Sequence, residues 1–367
     1  MRIGILTHHY INNYGAFLQV YALQKALSKL YPDYIIEIIN YVNFKHCFIN
    51  RCGWFRFYKE RERLKDWVLK IKIHTVFTNE RKKHLKLSHL CLTAKQVNQL
   101  NYDIIIIGSD EVWNFKDKRS DSKIKYGIGL NCNNLIAYAP SAGKSSVLDD
   151  VPQYVIEGIG LFKSVSARDR HTSDLLKLAG FKKVQVVLDP TFLFDFPHAK
   201  KVTGSRPYIL FYYCDNIPFH MMNQILNYAA GNSFDVYGAG ECNKHYTNNT
   251  ICITPFEWVE MFKGAAFIFT GTFHGVVFSI LNKKQFKVYL TNESRIWKVN
   301  DLLELVQIKN RSIDEGFEFD FDKMKYEIDY SLLEASISAL KNESIQFLQG
   351  SICSSDKDAS SLKVLNE

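Results

Sequence analysis

The chain has 367 residues, 47% hydrophobic and 14% aromatic, with a formal net charge of +8; this suggests about two domains of ~100–200 residues, ample packed cores and an anionic partner. No apolar run approaches the ~20 residues of a membrane span, and Met1-Arg2-Ile3-Gly4-Ile5-Leu6-Thr7 is one short strand rather than a secretory leader. The 8 cysteines form no CxxC pair, and Cys47 and Cys52 lack a matching ligand set, so the expectation is free thiols, no metal and a cytoplasmic protein.

Residues 3–7 read as a first strand and Asn12-Asn13-Tyr14-Gly15 as a turn. Residues 16–30 read as a helix with Leu18, Ala22, Leu23, Ala26, Leu27 and Leu30 on one face. A second strand at 34–40 completes a βαβ opening. Residues 44–86 break the alternation with thirteen Lys/Arg against four Asp/Glu, a surplus of nine, interleaved with Phe48, Trp54, Phe55, Phe57, Tyr58 and Trp67. Leu64, Trp67, Val68 and Ile71 have helical spacing, so the segment reads as an inserted helical region. It is either a solvated charged face over core aromatics or a surface for anionic lipid or a lipid-linked phosphate.

Alternation resumes with the strands 103–107, 135–139, 164–168 and 184–188, which end in Gly108-Ser109-Asp110-Glu111, Pro140-Ser141-Ala142-Gly143, Arg168 and Asp189-Pro190-Thr191. Strands alternating with helices imply a doubly wound parallel sheet, and ligands bind such sheets at the carboxyl ends of strands. Residues 195–207 read as a linker. A second alternation follows: strands at 208–213, 234–237, 266–269 and 286–290, and helices at 219–229, 255–263 and 276–281. A final helix covers 331–348, and 350–367 is too polar and serine-rich to fold.

Within the second half, residues 266–284 stand out. A buried strand runs into the small-residue turn Thr270-Gly271-Thr272-Phe273-His274-Gly275 and then a helix, an arrangement that aims backbone N–H groups at an anion. His274 places a titratable ring there; the alternative is an ordinary strand–helix connection with a satisfied histidine. Asp110 and Glu111 are adjacent acids at a strand end, able to act as a base or to bind hydroxyls, or else to cap a turn. Arg168 can hold an anion with its planar fork or pair with Asp169 or Asp189. Lys283 is a second charge or a plain surface lysine.

Several pieces in order resemble the polysaccharide pyruvyl transferase family. They are Asn13-Tyr14-Gly15-Ala16-Phe17-Leu18-Gln19-Val20-Tyr21-Ala22-Leu23-Gln24, Ile107-Gly108-Ser109-Asp110-Glu111-Val112-Trp113-Asn114, Tyr138-Ala139-Pro140-Ser141-Ala142-Gly143, and Ser164-Val165-Ser166-Ala167-Arg168-Asp169. Leu188-Asp189-Pro190-Thr191, the 270–275 turn, Asn282-Lys283, Ser294-Arg295-Ile296 and Asp301-Leu302-Leu303 follow. The resemblance spans roughly residues 1–311 apart from the basic insert. Many relatives carry an acid where this chain has Gly271, and some an arginine where it has Thr272.

The resemblance implies an α/β protein of two Rossmann-like domains facing a cleft, GT-B-like, with the basic insert in the first. The expected boundaries are 1–200 for the acceptor side with its insert at 44–86, 201–350 for the donor side, and a disordered tail at 351–367. The implied reaction moves the pyruvyl unit of phosphoenolpyruvate onto a sugar of a bacterial polysaccharide or its lipid-linked precursor as a ketal, releasing phosphate, without a cofactor. The expected catalytic residues are His274, Asp110 and Glu111. Donor binding falls to Arg168, His274, Gly275, Lys283 and Thr272, and acceptor binding to Asn13, Tyr14, Gly15, Ser109 and Trp113. The setting implied is cytoplasmic, peripheral on the inner face of an anionic membrane. A nucleotide-sugar glycosyltransferase on the same fold is the alternative enzyme, and a basic lipid-binding protein the alternative without catalysis. No helix-turn-helix, finger or RNA-binding signature supports a nucleic-acid partner.

Overall fold

The computed structural model describes residues 1–364 except 60, 61, 215, 216, 292 and 315; for residues 294 and 355–364 it describes the backbone alone. The chain divides into two compact units. Met1–Asn50, Arg81–Asp195 and Ile337–Glu367 form the first, Arg51–Glu80 and Phe196–Ser336 the second.

In chain order the first part carries β1 (Arg2–Leu6), α1 (Tyr14–Leu30), β2 (Ile35–Ile38), α2 (Phe44–Gly53), α3 (Leu64–His84) and α4 (Ala94–Asn98). Then come β3 (Ile104–Ile107), β4 (Leu135–Ala137), α5 (Gln153–Ile159), β5 (Ser164–Ala167), α6 (Arg170–Leu178) and β6 (Gln185–Val186). The six strands make one parallel sheet in the order β2-β1-β3-β4-β5-β6. β3 is four isoleucines, all buried; a parallel strand covered on both faces has no solvent side to alternate with. Trp113 anchors the core beside it, stacked on Tyr126 and edge-on to Phe162. The strand order reverses between β1 and β3. The loops that leave these two strands therefore part at their carboxyl ends, the place where doubly wound sheets take ligands.

The second part carries β7 (Tyr208–Tyr212), α7 (Phe219–Gly231), β8 (Asp235–Gly238), α8 (Pro255–Gly264), β9 (Phe267–Thr270), α9 (Phe273–Leu281), β10 (Phe286–Val288), α10 (Glu293–Leu305), α11 (Phe321–Met324) and α12 (Tyr330–Val364). Its parallel sheet has the order β10-β9-β7-β8, over a core that includes Phe211, Phe267 and Phe269. Here the order reverses between β7 and β9. The fold is thus α/β with two Rossmann-like units, as expected.

The boundaries differ from the sequence reading. The insert is helical, but residues 51–80 join the second unit rather than the first. Asn249 Nδ2 donates to Asp66 Oδ1 at 3.0 Å, Arg63 Nη2 to the Lys244 carbonyl at 3.2 Å, and Cys252 Sγ to the Leu69 carbonyl at 3.3 Å. The end of the chain returns to the first unit at Ile337 instead of staying in the second to residue 350; Leu188 N donates to Ser344 Oγ at 3.0 Å. The expected disordered tail is helix through Val364, and residues 365–367 lie outside the described residues. Leu348, Ser351 and Ile352, all buried, make a short edge at helical spacing that the polar composition of 350–367 conceals.

Candidate functional site

At the β1/β3 reversal the loops are locked to each other by their own polar groups. Thr7 Oγ1 donates to the Ser109 carbonyl at 2.9 Å, and Gln19 Nε2 to Thr7 Oγ1 at 3.2 Å. Gly108 turns at φ +116°, where a Cβ would strike the Tyr138 carbonyl. Asp110 takes φ +73°, a strained region for a residue with a side chain and one that concentrates at functional sites. Its carbonyl accepts from Ser141 N at 2.9 Å, and its half-buried carboxylate accepts from Glu111 N at 2.8 Å.

Arg168 follows β5 into the same layer. Its guanidinium is 2% exposed, donates from Nη1 to Asp189 Oδ2 at 3.0 Å, and lies 3.8 Å from Asp110 Oδ1. Burial works against its charge, yet Asp189, Asp110 and Asp169 outweigh burial and hold its pKa above the ordinary arginine value. Of the two roles open from sequence, the geometry therefore gives Arg168 the ion pair, with Asp189 rather than Asp169. Asp169 instead caps α6 through Thr172 N at 2.9 Å.

Beside Asp110 is a cluster that sequence reasoning missed. His8 and His9 leave the end of β1 and are buried, as are Tyr10 and Lys125. Lys125 Nζ lies 2.5 Å from His8 Nε2 and also donates to the Ser120 carbonyl. The His8 and His46 rings are 5.0 Å apart, and Tyr10 OH is 3.1 Å from His46 Nδ1. Burial brings Lys125 down to about 7, although Asp121, Asp110 and Asp117 pull the other way. Burial, then the Lys125 charge, pushes His8 well below its usual value and brings His46 to about 4. Burial also brings His9 to about 4, against its bonds to Asn40 and Thr7. The result is a buried amine that exchanges its proton near neutral pH, next to imidazoles that are neutral there.

In the second unit the β7/β9 reversal is occupied by the 270–275 turn. The helix begins at Phe273, not at Val276, so His274 stands in the first helical turn, half-buried and edge-on to Phe273 at 5.4 Å. Thr272 is the N-cap: its Oγ1 accepts from Gly275 N at 3.0 Å and its carbonyl from Val276 N at 3.2 Å. The N–H groups expected to meet an anion after Gly275 are therefore engaged inside the helix, and Gly275 serves packing, since a Cβ there would collide with Thr270 Oγ1. Gly271 is likewise closed to a side chain by the Tyr213 and Tyr289 carbonyls. Sequence reasoning also gave Arg295 no role, yet its Nη1 donates to the Gly271 carbonyl at 3.1 Å. It brings a guanidinium to the turn that lacks an arginine at 272.

Other expected site residues are placed elsewhere. Lys283 lies beyond the far end of α9, about 13 Å of helix from Phe273, and its exposed Nζ pairs with Glu334; this corrects its donor role. Trp113 is fully buried and donates from Nε1 to the Lys125 carbonyl at 2.8 Å, so it positions Lys125 from the core instead of touching an acceptor. Ser109 is closed off too, its Oγ donating to the Ala139 carbonyl at 2.7 Å. Asn13 caps α1 through Ala16 N at 2.9 Å, and Tyr14 and Gly15 are buried in its first turn. Glu111 is half-buried and accepts from Asn114 Nδ2 at 3.2 Å.

Among solved structures, the chain is similar to the glycotransferase of kitacinnamycin (9% identity, 98% of each chain covered, TM-score 0.47). It is also similar to UDP-GlcNAc 2-epimerase from Methanocaldococcus jannaschii (10%, 93% of each chain, 0.46), and to the E. coli heptosyltransferase WaaC with ADP (11%, 93% of this chain and 100% of that one, 0.40). At these identities and scores the likenesses carry no functional argument. No curated protein sequence matches the chain. The model of the family described as polysaccharide pyruvyl transferase matches residues 13–292, which include the β7/β9 reversal and His274, and the chain belongs to that family.

Proposed function

We propose that the protein transfers the pyruvyl unit of phosphoenolpyruvate to two hydroxyls of a sugar as a ketal, the second unit handling the donor and the first the acceptor. The observation that carries this is the β9–α9 turn, where His274 in a helix's first turn and Arg295 converge at a strand-order reversal. Phosphoenolpyruvate bears a phosphate and a carboxylate, so Arg295 supports holding one of them with a charge-assisted pair. A proton from His274 to the methylene carbon makes the methyl group and leaves C2 electron-poor. One sugar hydroxyl oxygen then bonds to C2 and loses its proton; the second displaces the phosphate. Of the two hydroxyl hydrogens, one balances the new methyl C–H and the other leaves with the phosphate. The sugar's proton is assigned to the half-buried Asp110 at the strand end, with the buried Lys125–His8 couple beside it as the relay whose proton exchange near pH 7 suits the task. The basic segment 44–86 favours a sugar presented at an anionic lipid surface.

His274 is tested by phosphate release in two variants whose fold is confirmed by circular dichroism. If it is the acid, His274→Ala and His274→Gln both lose roughly 10²–10⁴-fold in turnover. If it only grips phosphate, Gln restores much of the rate. Near-parental rates in both would remove His274 from the reaction.

A further inference from the structure

Over residues 64–71 of α3 the usual sidedness of a surface helix is inverted. Its outward stripe carries Leu64, Val68 and Ile71, which are 64%, 49% and 57% exposed and spaced at i, i+4 and i+7. Its inward side there carries charge: Asp66 and Lys70 are both buried, and Lys70 pairs with Glu62 at 2.5 Å; beyond them the same side turns apolar, with Ile73 and Phe77 buried. A helix that packs for stability alone does the reverse. The stripe is extended by residues 55–58, which lie along α3. Trp67 Nε1 donates to the Phe55 carbonyl at 2.8 Å, Lys70 Nζ to the Arg56 carbonyl at 2.9 Å, and the Phe57 and Trp67 rings meet at 5.9 Å. That seating leaves Phe55, Phe57 and Tyr58 exposed beside the helix.

Charge is sorted along with polarity. Glu62 and Asp66 are turned inward, whereas Arg56, Lys59, Arg63, Lys65 and Lys72 are exposed around the apolar stripe. An apolar strip with a basic border fits a surface that offers hydrocarbon below anions. A second copy of this chain would set the same lysines against each other, so self-association is disfavoured by like charge.

We propose that the outward face of α3, with residues 55–58, docks in the headgroup layer of an anionic lipid bilayer, burying Leu64, Val68 and Ile71 in its outer hydrocarbon. The inference rests on the surface clause of the proposed function alone and is read without turnover. The test is sedimentation of the full chain with phosphatidylserine/phosphatidylcholine vesicles and with pure phosphatidylcholine vesicles, at low and high salt. The parent should bind the anionic vesicles and retain part of that binding at high salt. Lys65→Gln/Lys72→Gln should weaken binding chiefly at low salt, because screening already removes the charge contribution at high salt. Leu64→Gln/Val68→Gln/Ile71→Gln should lose at least roughly tenfold in vesicle affinity at either salt with an unchanged melting temperature. Equal sedimentation of parent and triple variant would overturn the proposal. So would absence of parent binding, or a parent that self-associates on a sizing column through the face the triple variant disrupts.

Discussion

Arg168 shows how a residue changes meaning once its neighbours are known. As a sequence feature it is a strand-end cation; in the fold it neutralises Asp189 inside the protein at 3.0 Å. Removing it leaves a buried carboxylate unpaired, so Arg168→Ala should cost about 3–5 kcal/mol in urea denaturation. An arginine that served only the donor would leave stability unchanged and raise the donor KM alone. Lys125 and His8 lie 117 positions apart, and no periodicity links them, which is why the cluster was illegible in the sequence. If Lys125 receives the sugar's proton by way of Asp110, kcat/KM for the acceptor should rise with pH through about 7, and Lys125→Met should flatten that limb. A rising limb unmoved by the substitution would exclude it. The imidazoles add a stability signature with a definite sign. His9 is neutral in the fold down to about pH 4, whereas in the unfolded chain it protonates near 6.5. Stability is therefore fully present above 6.5 and falls as pH drops toward 4, by on the order of 3 kcal/mol for this ring. His9→Gln should remove that part of the pH dependence of the urea midpoint.

The elements were largely readable where a period or a punctuation residue marked them. The isoleucine run of β3 and the leucine face of α1 are such cases; the alternation they establish gives parallel sheets, while the two strand-order reversals appear only in the fold. The β9–α9 junction was readable as strand, turn and helix, but not to the residue. Small residues between Thr270 and Gly275 suggest an open turn, whereas Thr272 begins the helix by accepting from Gly275 N. That junction is tight: Gly275→Ala would press a methyl group against Thr270 Oγ1 and should destabilise the protein by roughly 1–3 kcal/mol, measurable as a lowered melting temperature. An unchanged melting temperature would mean the junction has slack that its spacing denies. α10 carries its period in Val299, Leu302 and Leu303, continued by Val306 just past its end, all buried at helical spacing, but Arg295's role depends on where that helix directs it.

For the molecule as a whole, two alternations announce two α/β units, but not which unit each excursion joins. Residues 51–80 and the helix after Ile337 cross the boundary that a linear reading draws, because membership is decided by contacts such as Asn249 to Asp66 and Leu188 to Ser344. The surplus of nine positive charges in residues 44–86 is legible in the sequence; that Leu64, Val68 and Ile71 face outward is not. No helix among the described residues is long and apolar enough to cross a membrane. The central proposal is that phosphoenolpyruvate is the donor and that its methylene carbon takes a proton from an exchangeable acid. The direct measurement is mass spectrometry of the sugar product formed from phosphoenolpyruvate in deuterium oxide, alongside phosphate release. The expected product carries a pyruvyl ketal with one deuterium in its methyl group, formed in step with phosphate. A sugar left unmodified by phosphoenolpyruvate, but extended when a nucleotide sugar is supplied and nucleotide is released, would contradict it.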